Sequence, residues 1–369
     1  MTNVLSGNLA GASFRFETDA PDLCAYGAFH LASLLGDVAG APAVSATLRW
    51  HDGQPPARSA AAALASCARV DRDLYVGDEH LFWFRVDDLR DLHLRIGWRG
   101  ERLEVEGDFY FRVGSDWTDR VRRLITPGQV AAMRRRRFTT LIYYLVYYPC
   151  WWWLEQVRDL HPIHAAGVEV DGKIVLLGGA SGVGKSTLSV ALAGRQGARF
   201  LSDSFVLQAG LDICAVPEPI LLDEWSRGWL GAAIDGLQRT DYPYVLARHG
   251  YQIPRQRCIE GGRAGVLVLP RRAPVEYIRR LSPDQGHQRL SAANMIINDL
   301  RRYYAFAAVI EQLVPGGLVA HREANMAKLT VDVPCYELGL TAGAASKDVV
   351  DSVVNLLSGQ HLRVVAQRP

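Results

Sequence analysis

The sequence predicts an α/β fold in which a P-loop domain follows a mostly β N-terminal domain. Three observations lead to this prediction. The first 115 residues contain a series of short segments rich in β-branched and aromatic residues. From residue 164 onward, strand-like segments alternate with helical ones, which is typical of α/β domains. Finally, the glycine-rich stretch GGASGVGKST at 178–187 lies between an apolar strand-like run and a helical segment.

The N-terminal region, residues 1–125, is expected to form a β-rich domain for substrate recognition or scaffolding. Its segments alternate apolar and polar residues or run apolar, as strands with one or two buried faces do. The predicted strands are SFRFET, VSATLRW, LYVG, HLFWFRV, LHLRIGW and ERLEVEGDFYFRV. This region contains few polar residues in patterns typical of catalytic sites. The chemistry is therefore assigned to the second domain, residues 126–369.

A helical region is expected to open the second domain. Thr126-Pro127 is a typical helix start, because proline is favoured in the first turn. The uncharged segment Phe138–Leu154 is shorter than the roughly 20 apolar residues that a membrane-spanning helix needs. Pro149 interrupts this segment, and four tyrosines add polar groups to it. We therefore predict a buried helix, or two helices that meet at the proline, and no membrane span.

The remaining elements follow the order of an α/β domain. GVEV and KIVLLGG flank Asp171-Gly172, a dipeptide that favours a two-residue hairpin turn. The second strand of this hairpin leads directly into the glycine-rich loop. Further strands are expected in ARFLSDSFVL and RAGVLVLP, and helices in STLSVALAGRQ, over 288–314 and over 347–357.

Composition and charge narrow the classes of function. The chain has 369 residues, 49% of them hydrophobic, and a net charge of +2, so neither nucleic-acid nor membrane binding is favoured. Its six cysteines are scattered without a C-x-x-C pair, which argues against a disulfide framework or a zinc site. The N-terminus lacks the basic and apolar segments of a signal peptide. A protein of the reducing cytoplasm is the resulting expectation.

Residues Gly179–Ser186 match the phosphate-loop pattern G-x-x-x-x-G-K-[ST] in full. Its glycines let successive backbone N–H groups point at a phosphate, and the helix N-terminus adds partial positive charge. Lys185 is expected to reach the β- and γ-phosphates, and Ser186 to bind Mg²⁺. Only four of the chain's 41 basic residues are Lys, which indicates a specific need for the compact ammonium here. The expected binding residues for ATP and Mg²⁺ are Gly179, Ala180, Ser181, Gly182, Val183, Gly184, Lys185, Ser186 and Thr187.

Three interpretations of the loop stay open. In a transporter-type ATPase, ILLDEW (Ile220–Trp225) would be the acidic strand and LSGQ (357–360) part of the signature loop. In such an ATPase, however, the acidic strand lies further from the phosphate loop, and the signature loop precedes it. In a nucleotide-gated binding module, little turnover would follow binding. In a kinase, Asp203 would end a parallel strand beside the loop strand, 18 residues after Lys185. A carboxylate there could accept a proton from a hydroxyl or hold Mg²⁺.

Segments spread over about 100 residues resemble the catalytic domain of HPr kinase/phosphorylase and its relatives, which include kinases of lasso-peptide precursors. His164 in IHAAGV stands 15 residues before Gly179, where the family has the His of its H-G-V. GASGVGKS matches the family's G-x-S-G-x-G-K-S, and GARFLSDSF matches the stretch that ends in its catalytic acidic pair. IPRQRCIEGGRAGVLVLP resembles its mobile basic loop. The resemblance implies a P-loop kinase domain of the HPr kinase and PEP-carboxykinase-like type.

The resemblance also implies roles for individual residues. Asp203 would be the general base for a Ser or Thr hydroxyl of a peptide or protein. His164 would lie beside it and orient or tune it. Three arginines in the basic loop, Arg255, Arg257 and Arg263, are candidates to stabilise charge on the γ-phosphate, and Arg263 is assigned to the nucleotide site.

The sequence departs from the family pattern in several places. Ser204 stands where the family has its second acid, so one Mg²⁺ ligand is either missing or supplied from elsewhere, with Glu218 and Asp223 as the candidates. The expected metal ligands are Ser186, Asp203 and Glu218. A glycine-rich signature related to phosphorolysis is not recognisable, so kinase activity alone is expected. The N-terminal domain does not resemble that of the bacterial regulatory enzyme of the family. A small-molecule hydroxyl therefore stays open as the acceptor. Relatives form oligomers, which also leaves a homo-oligomer open.

Overall fold

The computed structural model describes residues 2–53, 64–86, 89–112, 127–240, 249–341, 343–344 and 346–357. The chain divides into two compact units. The first contains Met1–Arg158 and Arg302–Gly317, and the second contains Asp159–Arg301 and Leu318–Pro369. Both units combine helices with β-sheet, so the coarse prediction of a mixed α/β protein is confirmed.

The first unit is built on an eight-stranded sheet. Its strands are β1 (Asn3–Leu9), β2 (Ala12–Thr18), β3 (Val44–Asp52), β4 (Ala68–Asp71), β5 (Leu74–Val76), β6 (His80–Trp83), β7 (Leu92–Arg99) and β8 (Arg102–Phe111). Their order in the sheet is β1-β2-β3-β8-β7-β6-β5-β4. Strand β3 is parallel to both of its neighbours, β2 and β8, and the other pairs are antiparallel. Alternate residues of β2 are buried, as its alternating sequence predicts.

Aromatic helices supply much of the first unit's core. The helices of this unit are α1 (Pro21–His30), α2 (Pro127–Ile142) and α3 (Tyr148–Arg158). A π-helical segment, Tyr143–Tyr147, joins α2 to α3, and all five of its residues are buried. Pro149 lies two residues after this segment, and a proline there cannot donate to the preceding turn, which favours an interruption of the α-helical pattern. The predicted helix start at Pro127 and the predicted burial of the segment from Phe138 to Leu154 are both confirmed.

The division of the chain differs from the boundary expected between 125 and 126. That boundary lies in 113–126, outside the described residues. The helical region that follows belongs to the first unit because its large side chains pack on the N-terminal sheet. Trp152 of α3 meets Trp98 of β7 edge-on, with 5.0 Å between ring centroids. These helices therefore complete the N-terminal core and do not open the second unit.

The second unit contains a nine-stranded sheet and a separate three-stranded sheet in the described ranges. The strands are β9 (His161–Ile163), β10 (Ala165–Val170), β11 (Lys173–Gly178), β12 (Arg199–Ser202), β13 (Val206–Ala209), β14 (Asp212–Ala215), β15 (Ile220–Leu222), β16 (Gln238–Thr240), β17 (His249–Gln252), β18 (Gly261–Arg272), β19 (Tyr277–Leu281) and β20 (Cys335–Leu340). The main order is β12-β10-β11-β18-β14-β13-β9, and β20 joins β18 to β19. The small sheet has the order β15-β17-β16.

Helices cover both faces of the larger sheet. They are α4 (Lys185–Ala193), α5 (Glu224–Leu230), α6 (Pro283–Ile296), α8 (Leu318–Asp332) and α9 (Ser346–Leu357), whereas α7 (Asn298–Glu311) belongs to the first unit from Arg302 onward. Side chains of α4, α5 and α9 pack on one face around Val175 and Leu177 of β11. Side chains of α6 and α8 pack on the other face around Leu176. Strand β11 is thus buried on both faces, which explains its continuous apolar sequence.

The predicted hairpin is confirmed. Strands β10 and β11 are antiparallel, and Val170 pairs with Lys173 across a two-residue turn. Asp171 and Gly172 have φ of 51° and 76°. Positive φ at both central residues characterises the tight turn that Asp-Gly favours. The hairpin fixes which residues of β10 lie opposite the end of β11, where the glycine-rich loop begins.

In the part of the chain that the structure describes, no helix is both long enough and apolar enough to cross a membrane.

Candidate phosphate-binding and catalytic site

The glycine-rich loop connects β11 to α4. The strand ends at Gly178, and α4 begins at Lys185 with Gly184 as its N-cap. Gly179, Gly182 and Gly184 have φ of 126°, 79° and 101°, a backbone region that other residues rarely adopt. The first N–H groups of a helix lack intrahelical partners, so the loop and the helix N-terminus together form a site suited to phosphate.

The Lys185 side chain folds back over this loop. Its ammonium donates hydrogen bonds to the carbonyl oxygens of Gly179 and Ala180, both at 2.8 Å, and the residue is only 6% exposed. Burial lowers the pKa of Lys185 to about 8, against the opposing effect of the Asp203 charge. Phosphate oxygens would give this ammonium stronger, charge-assisted hydrogen bonds than the two neutral carbonyls do.

Asp203 is a buried carboxyl group beside the loop. It follows β12 directly and is 4% exposed. Burial raises its pKa to about 6, although a hydrogen bond from Ser186 and the charge of Lys185 favour the ionised form. The Ser189 hydroxyl, one turn along α4, lies 3.4 Å from Oδ1. A carboxyl group with a pKa this close to neutrality can take up and release a proton under physiological conditions.

The sheet topology brings Asp203 and His164 to the loop. Strand β10 is antiparallel to β11 with Ala165 opposite Gly178, so His164 lies beside the start of the loop. Strand β12 is antiparallel to β10 and ends at Ser202, so Asp203 reaches the same edge. The expectation that β12 is the direct neighbour of β11 is wrong, because β10 lies between them. Strand β12 still runs in the direction of β11, which is why its carboxyl end meets the loop.

His164 is held by its backbone and has an unpartnered ring. Its N–H donates to Asn294 Oδ1 at 3.0 Å, and its ring centroid lies 5.2 Å from that of Phe205. Neither ring nitrogen has a hydrogen-bond partner in the described structure, and the residue is 6% exposed. Burial and then the Lys185 charge lower the pKa of His164 to about 3, against a weaker opposing effect of the Ser204 backbone. The ring is therefore neutral at pH 7.

The residues expected to bind Mg²⁺ lie near each other. Ser186 hydrogen-bonds to Asp203, and the charge of Glu218 raises the pKa of Asp203, which puts Glu218 within electrostatic reach. Across the described ranges, no three His, Cys, Asp or Glu side chains form a group that could hold a metal ion by themselves. The hard oxygen donors fit Mg²⁺, which binds through one or two carboxylates plus substrate phosphates and keeps several waters. Such a site would therefore need the phosphates of a nucleotide to complete it.

Asp223 has a structural role. It is the N-cap of α5, and its side chain accepts a hydrogen bond from Ser226 N at 2.8 Å. The Ser226 hydroxyl in turn accepts from Thr187 Oγ1 at 3.0 Å, which ties α5 to the first turn of α4. Strand β15, which carries the ILL of ILLDEW, belongs to the three-stranded sheet and is not a neighbour of β11. This corrects its interpretation as the acidic strand of an ATPase; residues 358–360 of LSGQ lie outside the described ranges.

The assignment of Arg263 to the nucleotide site is not supported by its position. Strand β18 is parallel to β11, and Ala264 pairs with Ile174 at the start of β11. The loop follows the other end of β11, where a Cβ on Gly179 would lie 3.5 Å from the Pro270 carbonyl oxygen. At about 3.3 Å per residue, Arg263 is about 23 Å along the strand from Pro270. The direction of the strand therefore removes this arginine from the loop.

The other two arginines of the basic segment are also at a distance from the loop. Arg257 donates a hydrogen bond to the Ala193 carbonyl oxygen at 2.9 Å, at the C-terminal end of α4. The nine residues of α4 span about 13 Å, so this end of the helix faces away from the loop. Arg255 begins the same short helical turn, Arg255–Arg257.

Sequence reasoning missed several residues around the site. Ser189 lies three residues after Ser186, and this helical spacing could have identified it as a neighbour. Asn294 contacts the residue 130 positions earlier in the chain, and only the tertiary fold reveals this contact. Trp225 and Arg272 contact each other although they come from two distant segments, and the stretch ILLDEW, which ends at Trp225, gave no signal for this contact.

Comparison of the chain with protein-family models and with curated proteins gives no match. We therefore infer function from the residues and their geometry. The three features that carry the resemblance noted above, His164, the glycine-rich loop and Asp203, come from separate parts of the chain, and they meet at one edge of the second unit's sheet.

Proposed function

We propose that this protein is an ATP-dependent kinase of the HPr-kinase-like P-loop type. It transfers the γ-phosphate to a hydroxyl group, with Ser or Thr of a peptide or protein as the first choice and a small-molecule hydroxyl as the alternative. The main support is the position of the buried Asp203 carboxyl group at the loop, where the Ser189 hydroxyl of α4 lies 3.4 Å from its Oδ1. A phosphate loop alone would serve an ATPase or a binding module equally well. A carboxyl group with a near-neutral pKa beside the loop is what a hydroxyl acceptor requires.

The residues of the site account for each step of an in-line transfer. Asp203 accepts the proton of the acceptor hydroxyl, and the hydroxyl oxygen forms a bond to the γ-phosphorus. The bond from the γ-phosphorus to the bridging oxygen breaks, and ADP leaves with that electron pair. Lys185 and the loop N–H groups stabilise the charge on the phosphate oxygens. Mg²⁺, when held by Ser186 and Glu218, neutralises further charge on the phosphates.

His164 is suited to positioning the acceptor. Its ring is neutral at pH 7, and among the described residues neither of its nitrogens has a hydrogen-bond partner of good geometry. A neutral imidazole can hydrogen-bond to a hydroxyl or a phosphate oxygen without adding charge to the site. The hydrogen bond from its backbone to Asn294 fixes the residue at the edge of the sheet.

The proposal is tested by following the γ-phosphate. The full-length protein is incubated with ATP labelled at the γ-position, with and without pools of Ser- and Thr-containing peptides and polyols. We expect ATP consumption that depends on an added acceptor, and label in an acid-stable phosphomonoester. Equal ATP hydrolysis with and without acceptors would indicate an ATPase instead. Tight ATP binding without turnover, under all acceptors and at millimolar Mg²⁺, would indicate a binding module.

The pH dependence of kcat/KM follows from the two shifted pKa values. Asp203 must be ionised to act as a base, so the rate should fall below about pH 6. Lys185 must be charged to bind phosphates, so the rate should fall above about pH 8. We expect a bell-shaped profile between pH 5 and 9.5, measured with an acceptor that does not titrate in this range. A flat profile from pH 5 to 7 would contradict the role of Asp203.

A further inference from the structure

Trp225 is an exposed aromatic residue close to the phosphate loop. It lies in the first turn of α5 and is 46% exposed, whereas most large aromatic side chains of a folded protein are largely buried. Its ring stacks on that of Trp229, with 6.4 Å between centroids and 20° between planes. Trp229 is itself held by a hydrogen bond from its Nε1 to the Ala344 carbonyl oxygen at 2.7 Å. The exposed indole is therefore supported from behind.

Two contacts connect Trp225 to the loop. The adjacent residue, Ser226, accepts a hydrogen bond from Thr187 in the first turn of α4. On the other side, the guanidinium carbon of Arg272 lies 5.1 Å from the centroid of the Trp225 ring, a cation–π contact. Arg272 pairs with Leu340, whose Cδ1 would lie 4.0 Å from a Cβ on Gly184. Trp225 and Arg272 together border the phosphate loop.

The strand order places this pair opposite the acidic side of the site. The loop follows β11, Asp203 follows β12, and Arg272 ends β18. Because the order is β12-β10-β11-β18, the loop lies between Asp203 and Arg272. A triphosphate in the loop with its γ-phosphate towards Asp203 would therefore extend its nucleoside towards Trp225. Half-exposed indole and guanidinium groups are the side chains on which nucleobases stack.

We propose that Trp225 and Arg272 form the platform on which the base of the bound nucleoside triphosphate stacks. This inference deepens the proposed function and rests on it, because it assumes that the loop holds the phosphates of a nucleotide. If the platform binds a base, the phosphate donor is a nucleotide and not inorganic pyrophosphate or triphosphate, because neither of these has a base to stack.

The test separates base binding from phosphate binding. Dissociation constants for MgATP and for inorganic triphosphate are measured by calorimetry with the wild-type protein, Trp225→Ala and Trp225→Phe. We expect Trp225→Ala to weaken ATP binding about tenfold or more, the loss expected when a base loses its aromatic partner. Trp225→Phe should retain most of the affinity. Neither variant should change the affinity for triphosphate by more than about twofold.

A pair of arginine variants on one strand provides the matched comparison. Arg272→Ala should weaken ATP binding more than triphosphate binding, whereas Arg263→Ala, at the far end of β18, should change neither. Wild-type affinity for ATP in Trp225→Ala would overturn the platform and leave the proposed kinase activity standing. Equal losses of ATP and triphosphate affinity in both Trp225→Ala and Arg272→Ala would also overturn it. Binding of neither ligand by the wild-type protein would overturn the platform together with the proposed function.

Discussion

Asp203→Asn is expected to lower kcat for phosphate transfer by about 10²–10⁴-fold, while the Kd for ATP changes by less than about threefold. The amide has the size of the carboxylate, and its oxygen can accept the hydrogen bonds of Ser186 and Ser189, but it cannot take up the proton of an acceptor. Transfer of labelled γ-phosphate in a single turnover measures the chemical step, and calorimetry measures the Kd. Transfer at near wild-type rate would contradict the assignment of Asp203 as the base.

The same variant should be at least as stable as the wild type. Because the folded protein raises the pKa of Asp203 from 3.8 to about 6, it holds this proton more tightly than the unfolded chain does. The resulting stabilisation is complete below about pH 4 and is lost as the pH rises through about 6. At pH 7.5 the buried charge therefore destabilises the fold, and Asn should raise the melting temperature by a few degrees. Asp212→Asn, at an exposed position of β14, is the matched control and should change neither rate nor stability.

Lys185→Met is expected to weaken ATP binding by about 100-fold or more. Met keeps the length and packing of the side chain but removes the ammonium, and losing one partner of a buried charged pair costs about 2–5 kcal/mol of binding free energy. Phosphate transfer should fall with it, because the γ-phosphate also loses the charge that stabilises the transition state. Equilibrium binding of a fluorescent ATP analogue, with ATP as the competitor, measures this loss.

The melting temperature of Lys185→Met shows whether misfolding causes the loss of ATP binding. Burial lowers the pKa of Lys185 from 10.5 to about 8, so at pH 7 the folded protein pays for keeping this amine charged, and Met should raise the melting temperature. Lys173→Met is the matched control, because Lys173 lies at the exposed start of β11, the strand that leads into the loop, and this variant should bind ATP normally. ATP affinity within threefold of wild type in Lys185→Met would contradict the phosphate-binding role of the loop.

Local sequence signals predicted the loop and the strand that leads into it. The Asp171-Gly172 turn sets the pairing of β10 with β11 by itself, so the position of His164 beside Gly178 follows from the hairpin. The sequence predicted the position of Asp203 only in part. Its strand has the expected direction, but β10 separates it from β11, and this order depends on how β10 pairs with both neighbours. Local patterns do not contain that information.

The arginines show a second limit of sequence reasoning. In the sequence, a basic segment that leads into a strand predicts a loop over the phosphates. In the structure, this segment leads into the start of β18, which is the end of the strand far from the glycine-rich loop. The closer arginine, Arg272, is at the other end of the same 12-residue strand. Which end approaches the loop depends on the parallel pairing of β18 with β11, a contact between segments about 90 residues apart. The contact of Trp225 with Arg272 could not be predicted for the same reason.

The π-helical segment Tyr143–Tyr147 has a consequence for the chain's tolerance of insertions and deletions. Tyr148 N–H bonds to the Tyr143 carbonyl oxygen, so this turn holds one residue more than an α-helical turn would. Inside a regular α-helix, adding or removing one residue turns every following side chain by about 100° relative to the preceding ones, whereas this wide turn absorbs one extra residue locally. Trp151 and Trp152, both fully buried, therefore face the surface against which they pack despite the extra residue before them. A one-residue deletion should accordingly displace the following helix less here than inside α2 or α3.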